Sequence, residues 1–245
     1  MRRRSTLLLM PRRLAAEFAG TAFLVAIVVG SGITGDRSSD STGLALLINA
    51  FATGTGLVAL ILAFGPASGA HFNPAVSLGE GILGTMRWAE AGLYALAQVG
   101  GGVVGVIAAE VMFGAPVLSI SRTDRLAPGV LFAEGIATTG LLIVILGCVR
   151  GRRPATTIAF AVGGYIAAGY FFTSSTSFAN PAVTIARAFT DTFAGIAPSA
   201  AATFVPIQLA SAAIAVLFMR WLYPTLATLE GHIVVPEFEP LEAAT

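Results

Sequence analysis

The tripeptide Asn-Pro-Ala occurs twice in this chain, as Asn73-Pro74-Ala75 and as Asn180-Pro181-Ala182. Asparagine often caps the start of a helix, and proline is well accommodated in the first helical turn. Each triplet therefore predicts a helix that begins at its proline. Because both triplets lie between long apolar segments, the fold has to start two helices in similar apolar surroundings.

The composition indicates that these surroundings are a membrane. Of the 245 residues, 56% are hydrophobic and 11% are charged, whereas a soluble domain has about 25% charged residues. Six apolar segments are long enough to cross about 30 Å of hydrocarbon at about 1.5 Å per helical residue. These predicted spans cover residues 14–34, 43–64, 88–113, 128–149, 155–172 and 200–223.

The arginines indicate which side faces the cytoplasm, because basic residues close to membrane spans are retained there. Five arginines precede the first span, and three more, Arg150, Arg152 and Arg153, separate the fourth span from the fifth. We therefore expect a multi-pass protein of the cell membrane with both termini in the cytoplasm and a cytoplasmic tail over residues 224–245. Met1 and Met10 fit the start of the chain equally well.

The chain repeats its layout in two halves, residues 14–113 and residues 128–223. Each half opens with an acid among small residues, Glu17 in AEFAGT and Glu134 in AEGIAT, and each contains three spans and one triplet. Because three is an odd number, the second half crosses the membrane in the opposite sense. The sequence thus predicts an all-α membrane protein with six transmembrane helices and two re-entrant half-helices in an inverted repeat.

Two half-helices that begin near the membrane midplane bring their N-terminal N–H groups to one centre. Each helix start carries about half a positive charge, and the amides of Asn73 and Asn180 add oriented hydrogen-bond donors. A cation meets a barrier at such a centre, whereas an uncharged polar solute does not. The stretches before the triplets, residues 69–72 and 176–179, should be extended and line a cavity, since irregular backbone is tolerated at this depth only there.

These motifs resemble those of the aquaporin and glycerol-facilitator family, also called the major intrinsic proteins. The resemblance covers nearly the whole chain and includes both triplets, Glu17, Glu134, the lead-in SGAHF at residues 68–72 and Gln98 in AQVGG. It implies the aquaporin fold, with one pore in each subunit of a homotetramer in the lipid bilayer. The partners that it implies are water and small neutral solutes.

The resemblance also implies a selectivity filter of four positions. Counting along the chain from the triplets places three of them at Thr53, Ser177 and Val183. The fourth lies near the end of the fifth span, where three neighbouring residues fit: Ala168 by plain counting, or Gly169 or Tyr170 after a deletion.

Val183 stands where most members of the family have an arginine. Its presence removes several hydrogen-bond donors and one positive charge from the constriction, so we expect a wider, uncharged and partly apolar filter. The pattern resembles a bacterial branch with valine at this position that is associated with arsenic species. It implies that glycerol-like solutes, or neutral metalloid acids such as arsenous acid, are permeants larger than water.

Four residues have two interpretations each. The buried acids Glu17 and Glu134 accept hydrogen bonds from the re-entrant loops, as the family resemblance implies, or carry protons. His71 lines the pore or gates it with pH. Arg187 is four residues beyond Val183 and so on about the same helix face, where it lines an outer vestibule or anchors a loop carbonyl.

Nothing in the sequence predicts an enzyme, because it contains no phosphate-binding loop and no nucleophile paired with a base. A single cysteine and two distant histidines do not predict a metal site, and we expect no cofactor and no nucleic-acid partner. The alternative to a channel is an ion- or proton-coupled secondary transporter, which also uses inverted repeats and broken helices. Only Glu17 and Glu134 qualify as coupling groups, and their matched positions favour a structural role.

Overall fold

The computed structural model describes residues 2–224, with side chains described from Met10 onward. Within this range the chain forms six long and two short helices and no β-strand. The predicted cytoplasmic tail, apart from residue 224, lies outside the described residues. The helices in chain order are α1 Arg2–Ser38, α2 Thr42–Ser68, α3 Pro74–Leu83, α4 Trp88–Phe113, α5 Pro128–Arg150, α6 Ala155–Phe172, α7 Pro181–Arg187 and α8 Pro198–Leu222.

The six long helices correspond to the six predicted spans, and each is long and apolar enough to cross a membrane. The first two extend beyond the predicted ends, to Ser38 and Ser68. Helix α2 stops there because Gly69 adopts a left-handed conformation, with φ of 89°, and its N–H group returns to the carbonyl of Gly65. The prediction of an all-α membrane protein with six spans is confirmed.

The two short helices begin at the prolines of the two triplets, as the sequence predicts. Helix α3 has 10 residues and helix α7 has 7. Asn73 and Asn180 precede them with extended backbones, at φ of −153° and −156°. The proline ring fits the next position because the first helical N–H groups have no partner within the helix.

The helices pack in the same order in both halves of the chain. Helix α1 packs against α2 and α4, and in the second half α5 packs against α6 and α8. Each short helix contacts both halves, because α3 and α7 each pack against α4 and α8. The two triplets are therefore held between the halves rather than within one of them.

Apolar side chains cover the outside of this bundle, and polar side chains lie within it. Leu96, Phe132 and Trp221 are 72%, 72% and 75% exposed, whereas Glu17 and Gln98 are completely buried. A soluble protein rarely exposes apolar surface on this scale. The distribution fits a bundle surrounded by lipid, in which polar groups find partners inside the protein.

Helices α1 and α4 approach each other so closely that their contact requires glycine. A Cβ atom added at Gly101 would lie 2.1 Å from the carbonyl oxygen of Phe18, and one added at Gly105 would lie 2.3 Å from that of Ala22. Small residues permit such close packing in membrane bundles. The contact positions α4, and with it the side chain of Gln98, against the start of the first half.

Replacing Gly101 with alanine should lower the thermal stability of the protein in detergent. The added methyl group overlaps the backbone of α1, and overpacking of this kind costs about 1–3 kcal/mol. Gly92 lies on the same helix, and a Cβ atom there would meet nothing within 4 Å. The matched control Gly92→Ala should leave the melting temperature unchanged or slightly raised, and equal melting temperatures for both variants would contradict the close contact.

Candidate functional site

The two triplet asparagines connect the halves of the protein through reciprocal hydrogen bonds. Asn73 Nδ2 donates to the carbonyl of Ala179 at 2.8 Å, and Asn180 Nδ2 donates to the carbonyl of Phe72 at 2.7 Å. Each Oδ1 atom accepts from the start of its own helix, at the N–H of Ala75 and of Ala182. Since an amide NH₂ group has two hydrogens, each asparagine keeps a second donor.

The loops that lead into the triplets have the same irregular backbone in both halves. Positive φ angles occur four, three and one residues before each asparagine. The first loop has them at Gly69 (89°), Ala70 (51°) and Phe72 (49°), and the second at Thr176 (61°), Ser177 (53°) and Ala179 (47°). Residues other than glycine rarely adopt this region unless the surroundings impose it.

Glu17 of α1 imposes the conformation of the first loop. Its Oε1 atom accepts from the N–H of His71 at 3.0 Å, and its Oε2 atom accepts from the N–H of Phe72 at 2.7 Å. Ser68 and Gln98 donate to the same carboxylate, at 2.6 and 2.8 Å. Four donors thus surround a completely buried acid, which satisfies backbone groups that have no helical partner.

Glu134 of α5 has the equivalent role in the second loop. Its two oxygens accept from the N–H groups of Phe178 and Ala179, at 3.3 and 2.5 Å. Gln208 donates to it at 2.7 Å and also donates to Thr184 of α7 at 2.8 Å. The geometry of both acids fits the structural interpretation, in which they hold the loops rather than exchange protons.

One cavity brings most of the predicted pore residues together. Asn73, Asn180 and His71 line it, together with the loop residues Ser177 and Ala179. The prolines and alanines of the triplets are not in this lining; they form the starts of α3 and α7. The rest of the wall is mainly apolar and includes Val28, Leu57, Ile61, Leu141, Ile145 and Val162.

We use the name filter region for four residues of the cavity lining, Thr53, Tyr170, Ser177 and Val183. The hydroxyl groups of Thr53 and Tyr170 lie 3.1 Å apart and share a hydrogen bond. The Ser177 hydroxyl is buried and has no hydrogen-bond partner among the described residues. The region therefore presents three hydroxyl groups and one apolar side chain, which suits a solute that both donates and accepts hydrogen bonds.

The three candidates for the fourth filter position differ in where they lie, and the geometry favours Tyr170 over Ala168. Ala168 is exposed on the outer face of α6, whereas Tyr170 is buried and lines the cavity. Successive helical residues are about 100° apart, so residues two positions apart point in nearly opposite directions. Counting along the chain gives no information on this difference between Ala168 and Tyr170. Gly169 lies between them, close to Ser177.

His71 lines the cavity, and both of its ring nitrogens have partners on α3. Nδ1 lies 2.9 Å from Ser77 Oγ, and Nε2 lies 3.0 Å from Glu80 Oε1. Sequence reasoning missed Glu80. The sequence did contain a signal for it, because residues 77 and 80 are three apart on a predicted helix and so lie on the same face.

Two arginines lie against the ring of Phe178, in the second loop. The guanidinium carbon of Arg187 is 3.5 Å from the ring centroid, and that of Arg125 is 5.0 Å from it. Arg187 Nε donates to the carbonyl of Ala194, and the side chain also lines the cavity. Arg125 lies in the loop before α5, where burial lowers its pKa below the usual value. Interactions with Glu134 and Tyr170 act in the opposite direction and offset this effect only in part.

Replacing Glu134 with glutamine should destabilise the protein, although the side-chain volume hardly changes. The new amide cannot accept at both ends, so at least one buried N–H group of the second loop loses its partner, at a cost of about 1–3 kcal/mol. Asp36→Asn is the matched control, because Asp36 is exposed at the end of α1. A melting temperature in detergent that is the same for both variants would show that the carboxylate does not hold the loop.

Comparisons with known proteins agree with this geometry. A family model described as Major intrinsic protein matches residues 4–157. The chain is 46% identical over 213 residues to Aquaglyceroporin AqpS from Rhizobium meliloti, which covers 87% of this chain and 91% of that relative. It is 33% identical to Aquaporin Z from Brucella melitensis over 63% of this chain and 72% of the relative.

A solved structure supports the fold. The aquaglyceroporin from Plasmodium falciparum superposes with a TM-score of 0.73 at 22% identity, covering 90% of this chain and all of that chain (100%). At this level of identity the likeness concerns the fold alone. With the family model and the sequence relatives, it shows that the chain belongs to the major intrinsic protein family and is a membrane channel, not an enzyme.

Proposed function

We propose that this channel passes water and small uncharged hydroxylated solutes, with glycerol as the model permeant. The observation that supports the proposal is the filter region, where Thr53, Tyr170 and Ser177 provide hydroxyl groups and Val183 provides an apolar side chain. A polyol has hydroxyl groups for the polar wall and a carbon backbone for the apolar one. The name of the relative from Rhizobium meliloti, an aquaglyceroporin, supports the same substrate class.

The unpaired hydroxyl of Ser177 supports selection for hydroxylated solutes in particular. A buried hydroxyl without a partner is costly, and a solute hydroxyl at this point would satisfy it. The bond between Thr53 and Tyr170 is also one that a passing solute can exchange for its own hydroxyl groups. Each polar group in the filter region thus gains or keeps a partner while the solute passes.

Neutral arsenous acid belongs to the same proposal, because it presents three hydroxyl groups and no charge at neutral pH. It fits the absence of an arginine at position 183, where a guanidinium would occupy the space with a long cationic side chain. Tyr170 narrows the filter region from its position on α6, so the wider filter expected from Val183 alone is partly closed. Glycerol and arsenous acid are comparable in size, and we propose both as permeants.

The arrangement in the membrane is part of the proposal. The arginine distribution favours cytoplasmic termini in the cell membrane, and the matched packing of the helices favours halves over residues 14–113 and 128–223. The family resemblance supports a homotetramer with one pore in each subunit. The partners of the channel are then lipid, water and the permeating solutes.

Replacing Val183 with arginine should abolish the passage of the larger solutes and preserve that of water. The guanidinium adds bulk and charge at the filter region, where Val183 is 5% exposed. Stopped-flow light scattering on proteoliposomes measures water, glycerol and arsenous acid permeability for the parent protein and the variant. If the parent protein passes water alone, or if the variant passes glycerol as well as the parent, the proposed filter is wrong.

Replacing Tyr170 with alanine should raise the glycerol permeability several-fold, because it removes the ring and hydroxyl that narrow the filter region. Ala168→Val is the matched control on the same helix, since residue 168 points away from the cavity. Its glycerol and water permeabilities should equal those of the parent protein. A larger effect at position 168 than at position 170 would favour Ala168 as the fourth filter residue and contradict the proposed role of Tyr170.

A further inference from the structure

The permanent positive charge in the described lining of the cavity belongs to Arg187. This side chain is 3% exposed and belongs to α7, one turn beyond Val183. Two contacts fix its position: Nε donates to the carbonyl of Ala194, and the guanidinium stacks on the ring of Phe178. Because both the Nε atom and the plane of the guanidinium group are held, the Arg187 side chain has little freedom to leave the cavity.

Among the residues that the structure describes, no carboxylate forms an ion pair with Arg187. The structure shows ion pairs between His71 and Glu80 and between Arg87 and Glu90, and neither involves Arg187. The carboxylate of Glu134 is occupied by the loop and by Gln208. The structure shows one hydrogen bond for Arg187, through Nε, which leaves the two terminal nitrogens without an acceptor among the described residues.

Arg125 provides a contrast within the same structure. It also lies against Phe178 and donates to a neighbouring carbonyl, that of Gly195, at 3.2 Å. Its side chain is not part of the cavity lining. Both arginines therefore contact the ring of Phe178 and donate to carbonyls of the same loop, at Ala194 and Gly195. Of the two, Arg187 lines the cavity and Arg125 does not.

We infer that Arg187 is a specificity-determining residue, which excludes cations from the filter region and donates hydrogen bonds to the oxygen atoms of uncharged solutes. A full charge in a poorly hydrated passage acts strongly on other charges, because the local dielectric constant is far below that of water. The hydroxyl groups of Thr53, Tyr170 and Ser177 do not repel cations, so Arg187 adds a barrier at the filter region to the one that the two helix starts provide at the triplets. This inference rests on the proposed channel function and names a residue that adds to the charge selectivity of that channel.

Charge removal at position 187 tests the inference. Proteoliposomes with the parent protein, Arg187→Met, Arg187→Lys and Arg125→Met are assayed for glycerol swelling, and for sodium and proton influx with ion-sensitive dyes. We expect Arg187→Met to admit sodium or protons at a rate about tenfold or more above the parent protein, as expected when one unit charge leaves a constriction. Arg187→Lys keeps the charge and should exclude cations, and Arg125→Met should behave as the parent protein does.

A rescue variant separates the loss of charge from a general disturbance of the filter region by Arg187→Met. The double variant Val183→Arg with Arg187→Met returns a guanidinium to the same face of α7, one turn nearer the triplet, and should restore cation exclusion. Equal leakage from Arg187→Met and Arg125→Met, leakage from Arg187→Lys, or cation exclusion by Arg187→Met with normal glycerol swelling would each overturn the inference. A parent protein that passes no solute would instead refute the proposed function.

Discussion

Backbone that leaves helical geometry inside a membrane must find its hydrogen-bond partners within the protein, and two buried carboxylates supply them here. Glu17 and Glu134 each accept from two successive loop N–H groups. These bonds stabilise the left-handed conformation of the residues before each triplet, which residues other than glycine rarely adopt. The helix starts at Pro74 and Pro181, and the asparagines that precede them, depend on that conformation for their place in the cavity wall.

The reciprocal asparagine bonds convert two separate loops into one centre. Each asparagine caps its own helix and donates to a carbonyl of the other half. Two helix starts brought together in this way concentrate partial positive charge, while the second amide hydrogens remain available to a passing oxygen atom. The centre favours uncharged solutes that can accept hydrogen bonds. We propose that the filter region, where three hydroxyl groups accompany Val183, then selects solutes by their size and polarity.

The sequence was sufficient to predict the fold because two signals with a clear physical basis repeat in it. Apolar segments of spanning length predict the six long helices, and Asn-Pro predicts the starts of α3 and α7. The fourth filter position was harder to predict, since a count from Asn180 does not show which way a side chain faces: Tyr170 lines the cavity, whereas Ala168 is exposed. The partnership of His71 with Glu80 and the stacking of Arg187 on Phe178 join residues of different segments, which periodicity within one segment does not reveal.

A neutral solute should cross this passage while protons are excluded, and simultaneous flux measurements on one preparation test this selectivity most directly. Proteoliposomes that contain the parent protein are given a glycerol gradient together with a pH gradient, with the membrane potential clamped. We expect glycerol to equilibrate at a rate that a protonophore does not change, with no protein-dependent movement of protons. Glycerol accumulation above its external concentration that collapses with the protonophore, or a protein-dependent proton flux, would contradict this selectivity and indicate a proton-coupled transporter.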